Sequence, residues 1–141
     1  MLQGTIYRLN IPAILVCGAV SLVIGFFWYG PLFGKIWAGY TGWTNEKVKV
    51  VPASRMARTY LLTFAAALVT ALVLDVLAWS LNLTSVWGGL RLGLWTGVGI
   101  SAMAFATTHL FEHKPFGLWL IVSGYQIVYQ TAAAVILALW R

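Results

Sequence analysis

Charged residues are scarce in this sequence, and their scarcity excludes most soluble folds. Asp, Glu, Lys and Arg make up only 9% of the 141 residues, and only three residues are acidic, whereas soluble domains have about 25% charged residues. Hydrophobic residues account for 61% of the chain, and the mean hydropathy is +0.87. A soluble domain of this size cannot bury so much apolar surface, so the composition predicts a membrane protein.

Cysteine and catalytic motifs are also scarce. The single cysteine, Cys17, excludes a scaffold of intrachain disulfides. The sequence has no P-loop, no dinucleotide-binding glycine turn and no Ser-His-Asp arrangement. Its net charge of +6 comes from Lys and Arg that lie mostly at the ends of apolar segments and form no basic stripe. We therefore expect no nucleic-acid partner and no cofactor.

Four stretches are long and apolar enough to cross a bilayer, which requires about 20 mainly apolar residues per helix. No cleavage site of small residues follows the first stretch, so it is interpreted as an uncleaved helix. The links after the second and third stretches are short, which predicts antiparallel neighbours. The sequence thus predicts an all-α fold, one domain over residues 1–141, with four transmembrane helices in an antiparallel up-down bundle at 10–30, 57–81, 87–110 and 118–140.

The distribution of Lys and Arg predicts which end of the bundle faces the cytoplasm. The connection 31–56 and the link 111–117 lie at the same end and hold six of these residues. The other end has only Arg8 and Arg141, with Arg91 as a third if its side chain reaches the interface. Positive residues concentrate in cytoplasmic loops, so the connection is expected in the cytoplasm and both termini on the outer side. The six residues are Lys35, Lys47, Lys49, Arg55, Arg58 and Lys114.

The stretch WYGPLFGKIW, residues 28–37, follows the first span. Pro31 lacks an N–H and disfavours helical geometry at Gly30, so the first span is expected to break there. From Leu32 to Tyr40 the apolar residues follow an i, i+1, i+4, i+5, i+8 pattern, which is typical of a short amphipathic helix in the membrane interface. The segment is interpreted as a structural anchor or as a site for lipid headgroups or a partner. Its candidate residues are Trp28, Tyr29, Pro31, Phe33, Gly34, Lys35 and Trp37.

Two ionisable residues, Asp75 and Arg91, lie within the second and third spans, where each charge costs roughly 2.5 to 3.5 kcal/mol. Both are about eight residues from the turn between these spans, so antiparallel helices place them at equal depth, roughly 12 Å from the turn. We predict an ion pair between them. The pair is interpreted as a clasp that fixes helix register or as a binding or proton-handling site. Alternatively, the two side chains extend separately to the interface.

Two sets of small residues spaced by four predict close helix packing. Such spacing lets two helix backbones approach each other. The set on the third span, called the glycine ladder below, is expected to meet the set on the first span, within the chain or across a subunit interface. The ladder consists of Gly89, Gly93, Gly97 and Ser101, and the matching set of Ala13, Cys17, Ser21 and Gly25.

The last span carries polar side chains on one side. Ser123, Gln126 and Gln130 fall within about 60° of arc, with Tyr129 beside them. Amides in hydrocarbon need hydrogen-bond partners. We expect them either to bind another helix or to line a polar cavity shared with Asp75.

His109, Glu112 and His113, called the histidine cluster below, fall at i, i+3, i+4 near the end of the third span. This spacing occurs in metal sites and also by chance. Without a cysteine nearby and with Lys114 adjacent, a solvated interfacial cluster is favoured over a metal site.

Three stretches resemble the motifs of a known family. They are WYGPLFGKIW with Thr-Asn-Glu soon after it (44–46), LFEHKP (110–115) before the last span, and SGY (123–125) within that span. The family is a bacterial integral-membrane family known as domain of unknown function 1761. The resemblance implies a small four-helix protein of the bacterial inner membrane and brings no activity or substrate with it.

Three classes of function fit these features. The favoured class is a non-enzymatic component, surrounded by membrane lipids, that forms a homo-oligomer or joins a larger membrane complex through the glycine ladder and the WYGPLFGKIW face. The alternative is a transporter or channel unit with a polar path around Asp75, Arg91 and Gln130, which in a four-helix unit requires oligomers. The third is a membrane enzyme acting on lipid, with the histidine cluster as its acid–base group; we expect no enzyme.

Overall fold

The structure is a computed structural model that describes residues 9–140. Within this range the chain forms helices and turns and has no β-strand. Four spans are long and apolar enough to cross a membrane, which confirms the all-α class and the number of predicted spans. They are span one (Ile11–Leu32), span two (Ala53–Ser80), span three (Val86–Phe111) and span four (Phe116–Leu139).

Seven α-helices and two wider π-helical turns make up these spans and the connection between spans one and two. Span two begins before the predicted residue 57 because its first turns are polar and a hydropathy count starts at the apolar part. In chain order the described elements are α1 (Ile11–Phe27), the first π turn (Trp28–Leu32), α2 (Gly34–Thr41), α3 (Asn45–Lys49), α4 (Ala53–Ser80), α5 (Val86–Thr96), the second π turn (Gly97–Ala102), α6 (Met103–Phe111) and α7 (Phe116–Leu139).

Polar side chains fix where the helices begin and turn. The side chains of Asn10 and Ser85 accept hydrogen bonds from backbone N–H groups three residues further on, at 3.2 and 3.1 Å. These bonds satisfy donors at the starts of α1 and α5 that have no partner inside the helix. In the links after spans two and three, Asn82 and His113 adopt positive φ angles of 52° and 55°.

The last helix, α7, lies at the centre of the bundle and contacts α1, α4 and α5. The Asn10 side chain donates a hydrogen bond to the carbonyl of Trp140 at 2.6 Å. The Trp28 indole, at the other end of span one, donates to the carbonyl of Ile121 at 2.9 Å. The start of span one thus meets the end of span four, so these two helices run in opposite directions.

The glycine ladder of α5 packs against α7. A Cβ added to Gly89 would lie 2.6 Å from the Cα of Val135, and a Cβ added to Gly93 would overlap the backbone of Thr131. Backbones approach this closely only where the side chain is a hydrogen atom. Within the chain, the predicted match with span one is therefore wrong. Spacing by four fixes which residues share a helix face, but it does not fix which helix meets that face.

The small residues of span one pack against a different side of α7. Ala13, Cys17 and Ser21 are fully buried, and the Cys17 thiol lies 3.8 Å from the carbonyl oxygen of Ala133. Gly25 lies beside the ring of Tyr125, from which an added Cβ would be 3.6 Å away. Both sets of small residues thus converge on the central helix from different directions.

The second π turn includes Ser101, the last position of the predicted glycine ladder. A π turn holds more residues than an α turn, so it rotates the positions that follow it. Ala102, the next residue, is 2% exposed, and its carbonyl accepts a hydrogen bond from the Trp119 indole at 2.9 Å. Ser101 is half-buried, and its hydroxyl accepts a hydrogen bond from the Gln130 side chain, so it meets the same helix as the ladder glycines.

Pro31 does not break span one. The first π turn carries the helix through Pro31, and the Phe33 N–H donates to the Trp28 carbonyl, five residues back, at 2.9 Å. The wider turn accommodates a residue that has no N–H to donate. The helix is interrupted at Phe33, where φ is −122°, so the predicted break at Gly30 is wrong. The short helix predicted after the first span follows as α2.

Candidate functional site

A cleft that opens sideways between spans two and three is the candidate functional site. Its volume is about 420 Å³. It forms because the glycine ladder holds α5 against α7, while α4 packs against α1 and α7 and meets α5 over only a small area. The lining residues are Val69, Thr70, Val73, Leu74, Leu77, Thr96, Ile100, Ser101, Ala104, Phe105, Gln126 and Gln130.

Two glutamines of α7 and one serine of the second π turn form the polar floor of this cleft. The Gln130 amide nitrogen donates to the Ser101 hydroxyl at 2.5 Å and to the side-chain oxygen of Gln126 at 3.4 Å. Gln130 is buried, whereas Gln126 is half-buried. Among the residues described, this contact is the only side-chain hydrogen bond of Gln126. The floor therefore offers an amide N–H₂ donor to whatever occupies the cleft.

The other polar residues predicted for span four lie elsewhere. The Tyr129 hydroxyl donates to the carbonyl of Ala67 on α4 at 2.6 Å, and the residue is 2% exposed. Ser123 is also 2% exposed, and its hydroxyl has no hydrogen-bond partner within residues 9–140. Tyr129 therefore joins two helices and does not extend the floor of the cleft.

Asp75 binds the start of span one. Its carboxylate accepts a hydrogen bond from the backbone N–H of Asn10 at 3.2 Å, and only 4% of the residue is exposed. A carboxylate at a helix N-terminus interacts favourably with the helix dipole. This contact links α4 to α1, and it lies apart from the glutamines of the cleft.

Arg91 lies on the outer surface of span three. It is exposed, and its guanidinium carbon is 5.9 Å from the ring centre of Trp87, which is a cation–π contact. The predicted ion pair with Asp75 is not formed: in the part of the chain that the structure describes, the salt bridge joins Lys114 and Glu112. Equal depth did not bring the two charges together. Because Gly89 and Gly93 face α7, Arg91 lies on the opposite side of α5.

The aromatic residues of WYGPLFGKIW connect span one to span four. Besides the bond from Trp28 to Ile121, the ring of Tyr29 lies 5.5 Å from the ring centres of both Trp37 and Tyr125. These contacts fit the interpretation of the segment as a structural anchor.

The remaining residues of this segment divide between the turn and the surface. A Cβ added to Gly34 would lie 2.6 Å from the carbonyl oxygen of Tyr29, so the turn into α2 requires glycine. The Phe33 ring centre lies 4.6 Å from that of Trp28. Pro31 and Lys35 are exposed on the outer side of the segment.

The histidine cluster does not form a single site. His109 is only 8% exposed, and its Nδ1 lies 2.8 Å from the carbonyl oxygen of Phe105, so it is not solvated as predicted. It faces a small cavity bordered by Trp119, on the side of α6 that meets the start of α7. Glu112 is exposed, and its hydrogen bond with Lys114 lowers the pKa of its carboxyl. Within residues 9–140 no three His, Cys, Asp or Glu side chains gather around one point.

The apolar walls of the cleft could not be found from the sequence. Ile100, Ala104 and Phe105 resemble ordinary lipid-facing residues of a transmembrane helix. One signal was present: Gly97 and Gly99 both fall in the second π turn, and glycine is a poor helix former. This pair indicated an irregular turn but not the direction in which it would rotate the following residues.

Comparison with known proteins gives a family and no activity. The model of a family described as "Protein of unknown function (DUF1761)" matches residues 12–138. No curated protein matches the chain, and no solved structure matches it.

Proposed function

This chain belongs to the DUF1761 family, whose description carries no activity, and we propose that it is a non-enzymatic component of a bacterial inner-membrane assembly. In this proposal the lateral cleft binds a transmembrane helix, supplied by a second copy of the chain or by a subunit of a larger complex. The observation that carries it is the polar floor of Gln126 and Gln130, which opens sideways between two spans.

The chemistry of the bilayer supports a helix as the occupant. Hydrocarbon offers no partner to an amide donor, so a polar group that opens toward lipid is costly unless another protein meets it. Side-chain amides that bond across helices are a recurrent feature of transmembrane association. The apolar walls, including Ile100 and Phe105, supply contact area around this polar centre.

The proposal no longer uses the glycine ladder for assembly, because that face packs against α7. It is favoured over a transport unit for a related reason. A transport path would have to join Asp75, Arg91 and Gln130. Asp75 binds the start of α1, Arg91 lies over Trp87 on the surface, and Gln130 lies in the cleft. The three residues therefore do not line one path.

The first test compares Gln126→Leu with Thr107→Val by measuring the native mass of the extracted protein. Thr107 is an exposed control on α6, outside the cleft, whose hydroxyl bonds to its own helix. The wild type and the control should form the same assembly. Because an interhelical hydrogen bond in a membrane contributes about 0.6 to 1.7 kcal/mol, Gln126→Leu should raise the dissociation constant about three- to twentyfold. A wild type that is monomeric and free of protein partners would refute the proposal.

The proposal also includes an orientation. The end with the connection between spans one and two is assigned to the cytoplasm, because it holds most of the Lys and Arg. Both variants are made in a Cys17→Ala background and labelled with an impermeant maleimide in cells whose outer membrane alone is permeabilised. Asn82→Cys should react, whereas Lys47→Cys should not. The reverse labelling pattern would assign the opposite orientation.

A further inference from the structure

A pocket at the start of span two contains two arginines. It has a volume of about 650 Å³ and is bordered by Arg55, Arg58, Ser54 and Thr59. No acidic residue lines it, and neither arginine takes part in a salt bridge within residues 9–140. Spaced by three, the two guanidinium groups extend from the same side of α4. The pocket is therefore suited to a ligand that carries negative charge.

An apolar groove continues from this pocket between spans one and two. Its volume is about 560 Å³, and Thr59 borders both spaces. Leu22 and Phe26 contribute apolar surface, and Tyr29 and Tyr60 line the groove nearer its charged end. Tyrosine is typical of the level at which hydrocarbon meets headgroups.

The length of the groove matches one leaflet of a bilayer. Its lining residues on span one extend from Gly30 to Ser21, a difference of nine positions. At a rise of 1.5 Å per residue this is about 14 Å, close to half of the roughly 30 Å hydrocarbon thickness. Charge thus lies at headgroup depth, and the apolar space extends through one leaflet.

We propose that this pocket and groove form a binding site for one anionic glycerophospholipid, with its phosphate between Arg55 and Arg58 and an acyl chain in the groove. Arginine presents a planar set of donors that matches phosphate oxygens. A free phosphate ion has no acyl chain, so it would fill the pocket but not the apolar groove. On α4 the groove is lined by residues no further along than Thr63, whereas the lateral cleft begins at Val69, and the two linings share no residue. The lipid proposal therefore does not depend on the helix-binding proposal.

The test is native mass spectrometry of the full chain released from nanodiscs that contain equal amounts of phosphatidylglycerol and phosphatidylcholine. The ratio of the two lipids retained by the protein is measured. The wild type should retain phosphatidylglycerol preferentially, and Arg55→Gln with Arg58→Gln should remove that preference. A cation near anionic lipid gives about a fivefold preference, so the double variant should lower the ratio by tenfold or more.

Two matched variants separate the parts of the site. Lys47→Gln with Lys49→Gln removes the same charge from α3, outside the pocket, and should change the ratio less than twofold. Thr63→Trp fills the exposed groove and should reduce retention although both arginines remain. An unchanged ratio in the arginine variant would overturn the proposal, as would an equal loss in the lysine control. Full retention by Thr63→Trp would overturn the acyl-chain site.

Discussion

At the end of the bundle where Asn10 meets Trp140, α1, α4 and α5 approach α7 through alanine and glycine, whereas at the opposite end aromatic side chains separate the helices. The first region, called the terminal end, includes the fully buried Ala13, Ala71 and Ala78. The second, called the connection end, contains the apolar groove between spans one and two and the arginine pocket. In this protein the volume of the packing side chains therefore sets the distance between helices.

The lateral cleft lies between these two regions. Up to Gly97, span three follows α7 at backbone contact distance, and an added Cβ at this residue would lie 2.8 Å from the Cα of Ile127. The second π turn then begins, and Ser101 faces the cleft. The cleft thus opens where the close packing of small residues ends.

The largest expected effect is at the terminal end, from Gly93→Ala. The new Cβ would overlap the backbone of Thr131, which cannot move without displacing α7. Overpacking typically costs about 1 to 3 kcal/mol, and we expect the upper part of this range because the obstacle is backbone. The measurement is the free energy of unfolding in detergent micelles.

Gly99→Ala is the matched control for that variant. No atom lies within 4 Å of a Cβ added there, and both glycines belong to span three. Alanine should be neutral or stabilise by up to about 1 kcal/mol through helix propensity. Equal destabilisation by the two variants would contradict the comparison between tight and open packing.

Asp75→Leu should have the next largest effect. It removes the acceptor for the Asn10 N–H, and a hydrogen bond to a charged group contributes about 1.5 to 3 kcal/mol. Asp75→Asn keeps an acceptor oxygen and should cost less. Unfolding of the single variants and of the Asp75→Leu, Arg91→Ala double variant measures the coupling. We expect the two losses of unfolding free energy to add within about 0.5 kcal/mol. A larger coupling energy would show that Asp75 and Arg91 interact as an ion pair.

Trp28→Phe tests the connection end and should have the smallest effect on stability. It removes the hydrogen bond to Ile121 while it retains an aromatic ring, so the expected loss is about 1 kcal/mol. Trp95 is 77% exposed, and Trp95→Phe should change the free energy of unfolding by less than about 0.5 kcal/mol. If the two substitutions had the same effect, Trp28 would not join spans one and four.

The sequence was sufficient for the spans because hydropathy and length determine whether a helix crosses a membrane. It was also sufficient to identify Gly89, Gly93 and Gly97 as a packing face. The helix that packs against that face could not be predicted, because any helix with a compatible surface satisfies the same spacing. For Asp75 and Arg91, sequence offsets predicted depth but not rotation about each helix axis.

The site depends on an irregular turn whose direction no sequence pattern encodes. The spacing of Gln126 and Gln130 predicts that they share one helix face, and both line the cleft. Ser101, which lines the cleft and accepts the hydrogen bond from Gln130, belongs to the second π turn. The sequence predicts a regular helix there because the segment is uniformly apolar or small.

The most direct test of the central claim is photo-crosslinking from two positions of span three in intact membranes. A photoreactive residue at Ala104 lies in the cleft, whereas one at Val98 is exposed outside it. We predict a protein adduct from position 104 that is absent from position 98 and reduced by Gln126→Leu, and its mass would identify a second copy or another subunit. Adducts with lipid alone at both positions would contradict the claim that the cleft binds a helix.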